Sequence, residues 1–270
     1  MPEGHTIHRY ARLQAKALGG QELRMTSPQG RATEAAEMLD SGVLERIDAY
    51  GKHMLYRFDR GLTLHVHLGL FGRFRTHTSP VPPPRGAVRL RFETAQRAVD
   101  LSGPTAADLM SSAAEAKLHA RLGPDPLRAG ADPDLAWDML QRRRIPISAL
   151  LMDQRFIAGI GNVYRAEILF ACGLDPKLPA NRLKRPEFDE LWETTRAMLR
   201  TGERSGRIVT VPRSEAEGPP SKLRGRERVQ VYRRDHCRRC GTPVRSEEVT
   251  ARMLWWCPSC QPRRRVRQRA

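Results

Sequence analysis

Apolar and polar positions change their period twice along the chain. Ile7, Tyr10, Ala11 and Leu18 recur at helical spacing, which predicts a short amphipathic helix over residues 6–18, ended by Gly19-Gly20. From about residue 43 to 101 the spacing shortens to that of strands. His53–Phe58, Leu62–Leu68 and Val88–Phe92 alternate or carry β-formers, and they are interrupted by Asp59-Arg60-Gly61 and by the proline-rich stretch Pro80–Pro84. The first half therefore reads as antiparallel β with one leading helix. After Gly123-Pro124-Asp125-Pro126 the helical period returns in Leu135–Arg142, Ile147–Asp153, Asn162–Cys172 and Glu187–Leu199. Gly206 to Gly225 is polar and bears Gly and Pro, and is expected to be a mobile loop. The fold class is α+β and multidomain.

Composition points to a partner class only through charge. Hydrophobic residues make up 40% of the 270 positions, and no apolar run approaches a membrane span. No apolar core follows a charged start at the N-terminus, so no secretory signal is visible and a cytoplasmic protein is expected. Lys plus Arg outnumber Asp plus Glu by 47 to 30, a net of +17. Such a surface favours a polyanion, because each contacted phosphate releases counterions. Arginine far outnumbers lysine, which is also what an arginine-rich codon usage would give, so charge alone does not identify nucleic acid.

Four of the five cysteines fall near the C-terminus. Cys237-x-x-Cys240, sixteen residues, then Cys257-x-x-Cys260 is the spacing of two knuckles joined by a β-hairpin, and it predicts one structural Zn²⁺ held by four thiolates. Four protein ligands leave no open position, so the metal would fold the segment. Cys172 stands alone in an apolar segment and reads as a small core residue. Arg252 lies in the predicted hairpin, where a rigid tip could carry it to a phosphate.

Other candidates are weak in isolation. Removal of Met1 would leave Pro2 as a secondary amine, able to attack a sugar anomeric carbon, with Glu3 beside it to move protons. Ala158-Gly159-Ile160-Gly161 precedes a helix and could offer N–H groups to a phosphate, with Asn162 and Arg165 adding side-chain donors. His65 and His67 face one side of a strand. They read as hydrogen-bonded structural histidines, since a metal would need a third ligand that the sequence does not place.

The order of these pieces is far more specific than any one of them. Pro2-Glu3-Gly4-His5-Thr6, Gly51-Lys52-His53, His67-Leu68-Gly69-Leu70-Phe71-Gly72, Arg121-Leu122-Gly123-Pro124-Asp125, Leu151-Met152-Asp153-Gln154 through Asn162-Val163-Tyr164, and the four-cysteine segment occur in series over roughly residues 1–261. Together they resemble the formamidopyrimidine-DNA glycosylase / endonuclease VIII family, on the side of its actinobacterial endonuclease VIII members. The resemblance implies an N-terminal β-sandwich with its leading helix over 1–122, a helix–two-turn–helix domain over 123–225 and a zinc ribbon over 226–262; the charge run over 263–270 reads as a basic disordered tail.

Residue by residue, the resemblance implies that Pro2 is the Schiff-base nucleophile and Glu3 the acid/base. It assigns Lys52 to β-elimination and Arg252 to δ-elimination, and Arg121 and Asn162 to DNA contact; Arg165 is a DNA-contact candidate from its place after the glycine turn. Leu70 and Phe71 match a loop that fills the space left by a flipped base. Gly69 departs from the endonuclease VIII pattern, which has glutamine there, so that position offers no side-chain contact. The implied protein acts on DNA containing oxidised bases or abasic sites, with no small-molecule cofactor, and associates with the nucleoid when bound; no membrane partner is expected, and with no oligomerisation signal in the sequence a monomer is expected. Pyrimidine lesions are expected. A formamidopyrimidine or 8-oxoguanine preference, or a non-catalytic zinc protein that binds damaged DNA, are the alternatives.

Overall fold

The computed structural model describes residues 2–216, 218–219 and 222–264, which separate into two compact units, Met1–Arg121 and Leu122–Ala270. In the first, helix α1 (Gly4–Leu18) buries Ile7, Ala11, Gln14 and Leu18 along one face. Gln14 is a polar member of that face because Tyr56 donates its hydroxyl to Gln14 Oε1 at 2.6 Å. Eight strands follow: β1 (Glu22–Thr26), β2 (Gly42–Tyr50), β3 (His53–Phe58), β4 (Thr63–His67), β5 (Arg73–Thr78), β6 (Val88–Glu93), β7 (Arg97–Ser102) and β8 (Ala106–Leu109). Their order is β5-β7-β6-β1-β2-β3-β4-β8, antiparallel throughout the pairs that build the site.

β1 links the two layers of this β-sandwich. Glu22 and Leu23 pair with β2, whereas Arg24 to Thr26 pair with β6. Leu23, Leu44, Phe58, Leu64, Val66, Leu90, Phe92, Val99 and Leu101 fill the space between. Period-two spacing predicted β3, β4 and β6, but not β1 and β8, which lie outside the expected 43–101 span, nor the two helices that accompany the strands: α2 (Thr33–Leu39) and α3 (Ser112–Arg121). α2 is seven residues long and buries only Ala35, Ala36 and Leu39, and α3 buries only Leu118. So few apolar positions leave little periodicity to read.

The second unit contains α4 (Pro133–Gln141), α5 (Ile147–Leu150), α6 (Asn162–Ala171), α7 (Arg185–Ser205) and the hairpin β9 (Arg245–Val249) and β10 (Arg252–Trp256). α7 outruns its predicted span at both ends and stops where Gly206 takes φ 73. α6 is buried all round because neighbours cover every side. Tyr164, Ile168 and Leu169 join the helical core, while Ala166 and Phe170 pack with Val231, Cys237 and Cys257 of the cysteine segment.

Backbone contacts explain two of the sequence motifs. Gly123 N–H donates to Gln154 O at 2.9 Å, and Ala158 N–H to Pro124 O at 3.0 Å. A Cβ on Gly123 would stand 2.3 Å from Arg155 O, so only glycine allows that approach. The polar stretch from Gly206 is anchored at both stems, with Val209, Thr210, Val211 and Leu223 buried. Of the basic tail, Arg263 and Arg264 are described and residues 265–270 lie outside the described residues. Arg264 is held rather than loose: its N–H reaches Asp175 Oδ2 at 3.1 Å and its guanidinium pairs with Glu187. No helix among the described residues is long and apolar enough to cross a membrane.

Candidate nucleic-acid site and zinc ribbon

In the first unit, Pro2 and Glu3 stand immediately before α1. Glu3 is the residue preceding the helix, its carbonyl accepts from Thr6 N–H at 2.9 Å, and the residue is 1% exposed, whereas Pro2 remains half-buried. His5 is also buried, which pushes its imidazole down to about 3.

Lys52 sits in the two-residue turn between β2 and β3, where Tyr50 pairs with His53 and Gly51 takes φ 56. Around it the structure gathers three histidines. His53 pairs with His67 across β3 and β4, and His53 Nδ1 lies 2.9 Å from His65 Nε2. Burial, then the neighbouring His67, His65, Arg121 and Lys52, push His53 down to about 3. His65 and His67 are lowered too, first by burial, with Arg121 acting on both and Lys52 on His67. The structural reading of His65 and His67 thus gains a partner, His53, which sequence spacing could not place because it arrives on the adjacent strand. Arg121, exposed at the end of α3, belongs to the same electropositive corner.

The loop after β4 exposes its apolar side chains. Leu70 is 47% and Phe71 82% exposed, an arrangement that core packing does not explain. Gly69 takes φ 61, and a Cβ there would fall 1.9 Å from Thr105 Oγ1. A glutamine could not occupy this backbone without displacing Thr105.

In the second unit, Arg252 opens β10 directly after a turn in which Thr250 and Ala251 both have positive φ, 52 and 56. Such a turn favours Asn and Gly, and is costly for a β-branched residue. What holds it comes from α6. Arg165 Nη2 donates to Met253 O at 3.0 Å and Arg252 O at 3.3 Å, and Nη1 to Val249 O at 3.4 Å. It also donates to Asn162 Oδ1, while Asn162 Nδ2 reaches Met253 O at 2.9 Å. Asn162 and Arg165, expected to display donors to DNA, are therefore turned inward: Arg165 is 0% and Asn162 6% exposed. The physical reason is that three strand carbonyls at the hairpin tip need donors, and a buried guanidinium supplies them.

The glycine turn before α6 is likewise partly committed. Gln154 Oε1 accepts Gly159 N–H at 3.0 Å and Gln154 Nε2 donates to Ile160 O at 2.9 Å. Glu167, one residue beyond Ala166, is buried and accepts the N–H groups of Gln230, Val231 and Tyr232 at 2.8, 2.9 and 2.8 Å, together with the Thr210 hydroxyl. None of these polar anchors was legible from residue spacing.

Cys237, Cys240, Cys257 and Cys260 bring their sulfurs within 4.8 Å of one another. Cys240 Sγ lies 3.5 Å from both Cys257 Sγ and Cys260 Sγ, and Cys237 Sγ 3.9 Å from Cys260 Sγ. Tetrahedral zinc with bonds of about 2.3 Å separates its sulfurs by about 3.8 Å, so the four thiols fit the ion. Among the described residues this is the one group of three or more metal-ligating side chains so arranged. Cys172 is apart from it, and burial pushes its thiol up to about 11.

Comparison with known proteins agrees with this architecture. Residues 1–104 match the model of the formamidopyrimidine-DNA glycosylase N-terminal domain, and residues 122–212 that of the formamidopyrimidine-DNA glycosylase H2TH domain. Endonuclease 8 1 of Mycobacterium tuberculosis is 43% identical over 267 residues, covering 97% of this chain and 100% of the relative. Formamidopyrimidine-DNA glycosylase of Thermus thermophilus is 34% identical over 271 residues, covering 97% of each. Lactococcus lactis Fpg in complex with DNA containing an abasic site shares the fold at a TM-score of 0.80 and 21% identity, over 97% of this chain and all of that one. The chain belongs to the formamidopyrimidine-DNA glycosylase / endonuclease VIII family.

Proposed function

We propose that the protein is a bifunctional DNA glycosylase and abasic-site lyase that removes oxidised bases, pyrimidines foremost. The observation that carries this reading is the Pro2-Glu3 pair at the start of α1: a carboxyl residue sealed from water beside a residue that remains accessible. With Met1 removed, the Pro2 nitrogen attacks C1′ and the glycosidic bond breaks, the proton lost from the Pro2 N–H passing to the departing base. The sugar ring opens, O4′ takes a proton from Glu3, and a C1′ iminium to Pro2 results. The iminium acidifies C2′. Lys52 receives that proton and the bond to the 3′ phosphate breaks; loss of the C4′ proton then releases the 5′ phosphate, with Arg252 serving the departing group.

The other residues prepare the substrate. Leu70 and Phe71 enter the stack where the base has left, offsetting lost stacking with apolar contact. Arg121 and the surrounding cluster favour the phosphate backbone. Asn162 and Arg165 act by fixing the hairpin that carries Arg252. Cys237, Cys240, Cys257 and Cys260 would hold zinc, which would close the ribbon without an open coordination position. Preference for pyrimidines is supported by the higher identity to an endonuclease 8 than to a formamidopyrimidine-DNA glycosylase, 43% against 34%.

Borohydride should trap Pro2 covalently on duplexes carrying an oxidised pyrimidine, and the absence of any adduct with processed protein would sink the reading. Glu3→Gln should lower base excision by about 10²-fold or more, the usual range for a positioned acid, while strand cleavage at a preformed abasic site declines much less. Single-turnover excision across pyrimidine and purine lesions decides the preference.

A further inference from the structure

Arg233 is an exposed cation held in a conformation that arginine disfavours. Arg234 N–H donates to Val231 O at 3.1 Å, closing a turn whose third residue, Arg233, takes φ 55. Among non-glycine residues in this turn only Arg233 has positive φ, which is the type II pattern and a position suited to Gly or Asn. Nothing local explains an arginine there, and strain of this kind points towards a task for the side chain.

The side chain has a prepared seat. Tyr232 and Trp255 meet edge to face with ring centroids 4.7 Å apart, and the Arg233 guanidinium lies 5.6 Å from the first ring and 5.8 Å from the second. Two rings within cation–π distance seat the guanidinium while leaving its N–H groups for another ligand. Among the described residues Arg233 makes no ion pair. The seat is itself anchored. Glu167 accepts the Tyr232 N–H, and Trp255 is paired with Ser246 in the hairpin that also bears Arg252.

We propose that Arg233 is a preset phosphate contact: a guanidinium oriented on the Tyr232–Trp255 shelf to take one backbone phosphate of the bound nucleic acid. The assignment rests on the DNA reading above and adds a ribbon residue that spacing and motif do not reveal. A planar, pre-oriented fork loses less freedom on binding than a mobile lysine and suits two phosphate oxygens at once.

Arg233→Gly separates the two roles this residue could have, since glycine is at ease at φ 55 but carries no charge. Affinity of the zinc-loaded full chain for a duplex with a non-cleavable abasic analogue is measured against salt concentration. Arg233→Gly is expected to weaken binding about three- to tenfold near 0.1 M salt and to reduce the salt slope by about one, with a thermal midpoint no lower than the parent's. Arg233→Lys should keep the slope while losing part of the affinity. Should the glycine variant lose zinc, Arg233→Gln replaces it as the uncharged chain of similar length. Parental affinity and slope in the uncharged variant overturn the assignment, as does a fall in thermal midpoint with the slope unchanged. A parent that shows no salt-dependent affinity for the duplex would instead remove the DNA reading, and this contact with it.

Discussion

Lys52 and Arg252, the two cations assigned here to strand cleavage, both lie at two-residue hairpin turns, yet the turns are built in opposite ways. The β2–β3 turn places Gly51 at the position with φ 56, so local sequence and local geometry agree. The β9–β10 turn asks the same of Thr250 and Ala251, which do not suit it. It is held from outside by Arg165 and Asn162. Their surroundings differ as well. Lys52 neighbours histidines that burial keeps neutral, whereas Arg252 follows a tip secured by a buried charge. A turn encoded by its own residues needs little support; an imposed one depends on everything that imposes it.

Breaking the external support should therefore have the largest effect, and it should fall on the Arg252 side alone. Cys257→Ser removes one of four ligands and should release the metal and unfold the ribbon. Metal content measured after gel filtration should fall to background, with DNA affinity falling by about 10²-fold or more, while Pro2 retains its reactivity toward a small aldehyde. Full activity without bound zinc would contradict the role assigned to the ribbon.

Arg165→Met tests the support from beneath. It leaves Asn162 Oδ1 and the Val249 and Arg252 carbonyls without this donor, and should cost about 2–4 kcal/mol in chemical denaturation. Products should shift from δ- towards β-elimination, because Arg252 is loosened and Lys52 is not. An unchanged product ratio would separate Arg165 from Arg252.

Acid should instead act on the Lys52 side. His53 has a folded pKa of about 3 against 6.5 for the free imidazole, so the folded state disfavours its protonation. Its contribution to stability is complete above pH 6.5, declines as pH falls below that value, and is exhausted near pH 3. His5, also lowered to about 3, adds in the same direction. Denaturation followed between pH 7 and 4 should show this loss, and His53→Phe should flatten it. A pH-independent stability over that interval would remove the burial argument.

The smallest effect tests strain itself. Replacing Thr250 and Ala251 by Asn and Gly should relax the second turn and raise stability by about 1 kcal/mol. Loss of stability would mean that the Thr250 hydroxyl, which donates to Val249 O at 2.7 Å, outweighs the backbone cost.

Much of this protein could be read along the chain. The period change near Gly123, the strands at His53–Phe58 and Val88–Glu93, and the paired cysteine knuckles all express local rules: side-chain alternation, Gly and Pro punctuation, and ligand spacing. Pro2, Glu3 and Lys52 could be nominated only from the ordered series of motifs that carries the family resemblance. Tertiary structure decided the rest. It turned Asn162 and Arg165 inward, since the carbonyls they serve are some ninety residues away in sequence. It brought His53 to His65 and His67 across a strand pair, and set Glu167 beneath the Tyr232 shelf. Buried polar groups must find partners wherever the fold supplies them, and that search has no period along a chain. Candidates for the chemistry could be named along the chain; the residues that hold the Arg252 turn required the fold.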